Sequence, residues 1–134
     1  MSQFKQDFME QPEAVRLLLS SADEISGKSR KLDSSRVLFT GIGASLHAGS
    51  VATAFLRSRG IDSDSVEMSE LISYSSPDLL KNYGTIVPIS QSGESAELLR
   101  FMDDNIGLLD KMALVTNNPL STAGKRLAKE KVFP

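Results

Sequence analysis

The run Thr85-Ile86-Val87-Pro88-Ile89 passes into Ser90-Gln91-Ser92-Gly93-Glu94-Ser95-Ala96-Glu97 with no spacer between them. A short apolar run of strand length meets a hydroxyl-rich turn, and a helix-forming segment begins at once. A strand that feeds a helix through so tight a turn is the repeating unit of parallel α/β sheets. The arrangement recurs upstream, where Arg36 to Thr40 leads through Gly41-Ile42-Gly43-Ala44-Ser45 into a helix predicted over Leu46 to Arg59.

The remaining segments fit the same scheme. A second strand is predicted around Ser65 to Met68, and a helical turn over Ser69 to Tyr74 is interrupted by Pro77. After the serine loop come a helix from Glu94 to Ile106 and a fourth strand over Met112 to Thr116. A turn at Asn117-Asn118-Pro119 follows, then a helix over Leu120 to Lys129 and the start of a fifth strand at Lys131. Strands alternating with helices imply βαβ units, hence an α/β fold of three layers with an open, mainly parallel sheet of about five strands. Pro88 stands against a fully paired inner strand, because it lacks a ladder donor. Either the strand is irregular there or its N–H side is unpaired.

Before the sheet, Pro12 reads as the first residue of a helix carrying Val15, Leu18, Leu19, Ala22 and Ile25 at helical spacing, with Gly27 as its stop. The predicted division is a helical segment over residues 1–30 and a sheet domain over 31–134. The chain ends at Pro134 without the helix that usually follows a fifth strand. A fragment, or a face covered by a partner, is therefore expected.

Composition narrows the function. The 134 residues carry a net charge of −2, so a nucleic-acid partner is not expected. With no cysteine and a single histidine, His47, thiolate chemistry and a metal site are not expected either. No apolar run is long enough for a membrane span, and Met1 to Glu10 is too polar for a signal peptide, so a cytoplasmic location is expected.

The serine loop offers hydroxyls at Ser90, Ser92 and Ser95 together with the unsatisfied amides and partial positive charge of a helix start. Such a place binds phosphate, here without help from any lysine or arginine in the loop. Helix capping accounts for one serine, but not for three with a glycine among them. Gly41-Ile42-Gly43 invites a dinucleotide reading, with Glu67 as ribose acceptor. Leu46 is too bulky for the third glycine position of that motif, so no nicotinamide or other cofactor is expected. His47 reads as structural. Glu94 and Glu97 favour a helix dipole, Asp103-Asp104 an exposed face, and Lys125, Arg126, Lys129 and Lys131 a solvated one.

Gly43-Ala44-Ser45-Leu46-His47-Ala48-Gly49 resembles the first-loop motif of sugar isomerase (SIS) domains, and Ser90-Gln91-Ser92-Gly93-Glu94-Ser95-Ala96 resembles their phosphate loop. Glu10-Gln11-Pro12-Glu13-Ala14 is similar to the first helix of the isomerase half of glucosamine-6-phosphate synthase. The resemblance covers almost the whole chain, in order. It implies a flavodoxin-like SIS architecture and a phosphosugar site built from Gly43, Ala44, Ser45, Ser90, Gln91, Ser92, Gly93 and Ser95. Ser95 stands where the family has threonine and keeps the hydroxyl; Ala44 stands for threonine and loses one; Leu46 stands for the usual aromatic. In the synthase relatives the general base is a glutamate of the second half, a histidine there assists ring opening, and a lysine-bearing tail closes the site. The matched motifs include none of these, so no catalytic residue is assigned; Glu67 and Glu94 are the only carboxylates considered.

The expected activity of a complete protein is isomerisation of a hexose 6-phosphate between aldose and ketose, or amination or deglycation at the sugar's first two carbons. The alternative is a non-catalytic module that senses a phosphosugar. Hexose 6-phosphates or amino-sugar phosphates are the expected ligands, and a homodimer or a second SIS half the expected partner.

Overall fold

The computed structural model describes residues 2–134, which fall into two compact units, one reaching Lys31 and one spanning Leu32–Pro134. In the first, α1 (Gln3–Ser20) is capped by Ser2, whose hydroxyl accepts from the Lys5 amide. Its early turns carry side-chain bonds at i,i+4, Gln3 to Asp7 at 2.7 Å and Gln6 to Glu10 at 3.1 Å. Pro12 is therefore not the helix start but an interior residue. The capped run of good helix formers before it nucleates the helix, which tolerates the one backbone bond that proline cannot make. Ser20 and Ser21 both donate back to the Leu17 carbonyl, and α1 ends there. Gly27 is no stop: α2 (Ala22–Ser29) runs through it, supported by the Glu24–Lys28 pair at 2.7 Å across the same turn.

In the second unit, β1 (Val37–Gly41) lies between β2 (Ser63–Glu67) and β3 (Thr85–Pro88), parallel to both. Phe39 is opposite Ser65 on one side and Val87 on the other. β4 (Leu114–Val115) pairs in parallel with β5 (Val132–Phe133). Bridges at Ile86–Met112 and Ile89–Val115 join the two ladders, so the strands follow the order 2-1-3-4-5. Between β1 and β3 the order reverses, and it is there that open α/β sheets form their crevice.

Pro88 explains why β3 and β4 meet only at bridges. The Ile89 amide donates to Thr40 on the β1 side (2.8 Å), and the Ser90 amide to Val115 on the β4 side (3.0 Å). Amides alternate sides along a strand, so Pro88 occupies a β4-facing position and removes one rung. The unpaired N–H side is the correct alternative of the two. The ladder to β1 continues undisturbed.

Successive residues of β1 face opposite layers. Leu38 joins Ile86, Leu98, Phe101, Met102, Met112 and Leu114 in a core where each is under 2% exposed. Burying a side chain of this size contributes about 1.5–3 kcal/mol. Leu98, Phe101 and Met102 form the i, i+3, i+4 stripe of α6 (Ala96–Asp104), which packs beside α4 (Met68–Tyr74). Phe39 faces the other way, onto α3 (Ala44–Ser58). Gly49 brings α3 that close: a β-carbon there would stand 3.0 Å from that of Phe39. The short α5 (Pro77–Leu80) begins with Pro77 in its first turn, capped by Ser76.

The helix predicted over Leu120 to Lys129 does not form. Single 3-10 turns at Gly124–Arg126 and Lys129–Lys131 replace it. One helical bond, from the Lys125 amide to the Ser121 carbonyl, closes; the chain then tightens at Gly124 and extends at Leu127. Gly124 packs so that a β-carbon would lie 2.3 Å from the Pro119 carbonyl oxygen. Tertiary packing overrides a helical propensity that an interior glycine already weakens. No helix among the described residues is long and apolar enough to cross a membrane.

Candidate functional site

The loops after β1 and β3 leave the same, carboxyl edge of the sheet on either side of the switch point. Gly41 allows their approach, since a β-carbon there would stand 2.8 Å from the Ser45 β-carbon and 3.1 Å from the Ile89 carbonyl oxygen. Gly43 then turns the chain into α3 with φ 57° and ψ −123°, a backbone combination reserved for glycine. Between the loops lies an open cleft of about 200 Å³, lined by Ile42, Ser45, Met68, Ile89, Ser90, Ser95 and Glu97.

The second loop is built from its own hydroxyls. Ser90, 8% exposed, accepts the Gly93 amide at 3.2 Å, and Ser92 accepts the Glu94 amide at 3.1 Å. Ser95 caps α6 by accepting the Leu98 amide at 3.4 Å. Gly93 turns the loop at φ 65°. Among the described residues no acceptor takes the amides of Ser92, Ser95, Ala96 or Glu97. Free donors at the positive end of α6, beside three hydroxyls, can receive an oxyanion, although the Glu97 carboxylate also lines the cleft and opposes it. Among the described residues, no lysine or arginine lines the cleft.

Of the residues singled out by sequence, the cleft brings together Ser45, Ser90 and Ser95. Gly43 and Gly93 shape the two loops, while Ala44, Gln91 and Ser92 are exposed and do not line the cleft. His47 is exposed on α3 and does not line the cleft. Glu67 is exposed at the end of β2, outside the lining. Glu94 is engaged: the Thr122 amide donates to its carboxylate at 2.7 Å, and that backbone bond holds its pKa below the usual carboxylate range. Sequence reasoning missed Glu97, Ile42 and Met68 as lining residues. Glu97 was legible in principle, lying two residues beyond the Ser95 cap on the same helix turn.

At the opposite end of the strands Asp64 collects the Arg36 guanidinium (3.0 Å), the Arg57 guanidinium (2.9 Å) and the Tyr83 hydroxyl (2.8 Å). Burial opposes ionisation of Asp64, but these partners outweigh it and its pKa is lowered. Burial, with Asp64 beside it, pushes the Tyr83 phenol up to about 12. The cluster ties the starts of β1, β2 and β3 together, far along the strands from the cleft.

A 2-1-3-4-5 parallel sheet with a serine-lined crevice at its switch point has the fold of phosphosugar isomerases of the SIS type. The tagatose-6-phosphate ketose/aldose isomerase of Escherichia coli superposes with a TM-score of 0.67 at 18% identity, over 92% of this chain. A candidate sugar-phosphate isomerase of Listeria monocytogenes gives 0.73 at 18% identity over 95%. The C-terminal domain of glucosamine-fructose-6-phosphate aminotransferase from Francisella tularensis gives 0.68 at 22% over 91%. The chain spans 37%, 71% and 36% of those three chains, respectively. No protein-family model and no curated protein matches the sequence.

Proposed function

We propose that this chain binds the phosphate group of a hexose 6-phosphate or amino-sugar phosphate, and that the complete protein acts on the sugar's first two carbons. The reaction class is aldose–ketose isomerisation, or the related amination or deglycation. The observation that carries this reading is the meeting of Ser45, Ser90 and Ser95 in one cleft at the amino end of α6. Ser90 and Ser95 and the free amides of Ser92 and Ala96 hold the phosphate; Ser45 closes the cleft from the first turn of α3; Gly43 and Gly93 allow both turns, and Ala44 and Gln91 adjoin Ser45 and Ser90 in the chain. The anchored phosphate fixes where the carbonyl end lies, which is the positional part of catalysis.

Moving a proton between C1 and C2 requires a general base. Glu94 is unsuited, since its carboxylate is occupied by the Thr122 amide. The base in this proposal comes from a second half of the enzyme, in the same polypeptide or in a partner subunit of a homodimer. The apolar side chains that α3 leaves exposed, Val51 and Phe55, support such a covering surface. The three relatives named above, each a sugar-phosphate enzyme or candidate by name, lend the same support at the level of fold.

Proton NMR of fructose 6-phosphate incubated with the protein in deuterium oxide tests the reading. Binding with loss of the exchangeable carbon-bound proton supports isomerase chemistry. Binding without exchange, measured with the second half or partner subunit present, leaves the phosphosugar sensor as the function, and AMP outcompeting hexose 6-phosphates would replace both with a nucleotide site.

A further inference from the structure

The segment after β4, where the expected helix fails, is bonded to the serine loop through Thr116, Asn117, Thr122 and Ala123. Thr116, 2% exposed, donates its hydroxyl to the Gln91 carbonyl at 3.1 Å, and the Asn117 amide donates to the same oxygen at 3.1 Å. The Ala123 amide donates to the Gly93 carbonyl at 3.2 Å. Ser121, 1% exposed, fills the space beside Gly93 so closely that a β-carbon on residue 93 would fall 2.1 Å from its hydroxyl oxygen.

A trans peptide points its C=O and N–H in opposite directions. With the Gln91 carbonyl drawn onto the segment after β4, the Ser92 N–H must point to the other side of the loop. In the strand order 2-1-3-4-5 that other side is the β1 side, where Ser45 and the cleft lie. The Ser92 amide has no acceptor among the described residues. A carbonyl that accepts two bonds cannot flip without breaking both, so the donor is preorganised before any ligand arrives.

We propose that Thr116 and Ser121 are positioning residues for phosphate binding: Thr116 aims the Ser92 amide into the cleft, and Ser121 holds the turn at Gly93. The proposal rests on the phosphosugar reading. It also gives the missing helix a reason, since a regular helix over Leu120 to Lys129 would not place both Ser121 and the Ala123 amide against Gly93.

The test titrates inorganic phosphate and fructose 6-phosphate into the full chain, following the Ser92 amide by nitrogen–proton NMR, alongside Thr116→Val, Thr116→Ser and Ser121→Ala. Removing one hydroxyl bond from the loop is expected to weaken binding about tenfold in Thr116→Val. The ligand-induced shift of the Ser92 amide shrinks with it, and Thr116→Ser restores both. Ser121→Ala, which removes the hydroxyl packed beside Gly93 and its bond from the Gly124 amide at 3.1 Å, weakens binding in the same direction and serves if Thr116→Val does not fold. Wild-type affinity and an unchanged Ser92 response in the folded variants, whatever their melting temperature, would overturn the positioning role alone. Wild-type protein that binds neither probe overturns the phosphosugar reading and this inference together.

Discussion

The Glu94 carboxylate accepts the Thr122 amide at 2.7 Å, so the residue that opens the loop into α6 is fastened to the segment after β4 rather than to a substrate. The bond favours the charged form and lowers the Glu94 pKa. A group with a depressed folded pKa contributes stability that is present above its unfolded pKa and is lost as pH falls through the folded one.

It follows that wild-type protein should be more stable than Glu94→Gln at neutral pH, with the difference shrinking on acidification below the ordinary glutamate range, near 4.5. Melting temperatures of both proteins across a pH series from neutral to strongly acidic measure it. A constant difference across the series contradicts the assignment of the ionised contact.

Ser95 does two things that substitution can separate. As the cap of α6 it bonds the Leu98 amide, and Ser95→Ala should cost about 1 kcal/mol of stability. As a cleft residue it should also lose phosphosugar affinity. Ser95→Thr keeps the hydroxyl and should retain both. Chemical denaturation paired with ligand titration reads the two effects independently, and an alanine variant that melts early yet binds normally would confine Ser95 to capping.

Tyr83 reports on the far end of the sheet. Its phenol is pushed up to about 12, first by burial and then by the bond to Asp64. Asp64→Asn keeps the side-chain volume but removes the negative charge, so the phenol should ionise at lower pH. Ultraviolet titration in a Tyr74→Phe background isolates Tyr83, the other tyrosine of the chain. An unchanged midpoint would mean that burial alone sets it.

The parts of the fold legible in the sequence are those where local pattern and tertiary structure agree. Val37, Leu38, Ile86 and Val87 read as buried strand residues and are buried. The turn at Gly43 and the cap at Ser95 stand where glycine and hydroxyl chemistry require them. Pro12 misled because a proline at a helix start and one tolerated inside a helix look alike in a short window. The choice is made by Ser2 and the residues between them, and Gly27 was misread likewise. The segment from Leu120 to Lys129 has helical composition, and only its contacts with Gly93 and Glu94, distant in sequence, reveal another conformation. Glu97 escaped as a cleft residue because a glutamate in a first helical turn has a sufficient local reason to be there.

The central claim is that the cleft between the β1 and β3 loops holds a phosphosugar, and Ser45 tests it most directly. It lines the cleft from the first turn of α3, opposite the serine-rich loop, and it caps no helix. Thermal-shift titration of wild-type and Ser45→Ala protein with fructose 6-phosphate, glucosamine 6-phosphate, AMP and inorganic phosphate is the measurement. A sugar phosphate at a hundred times its dissociation constant should stabilise the wild-type chain by about 2.7 kcal/mol. The account predicts that hexose 6-phosphates stabilise the wild type, that AMP does not, and that Ser45→Ala, at unchanged intrinsic stability, responds more weakly. No stabilisation by any sugar phosphate, or an equal response from Ser45→Ala, would contradict it.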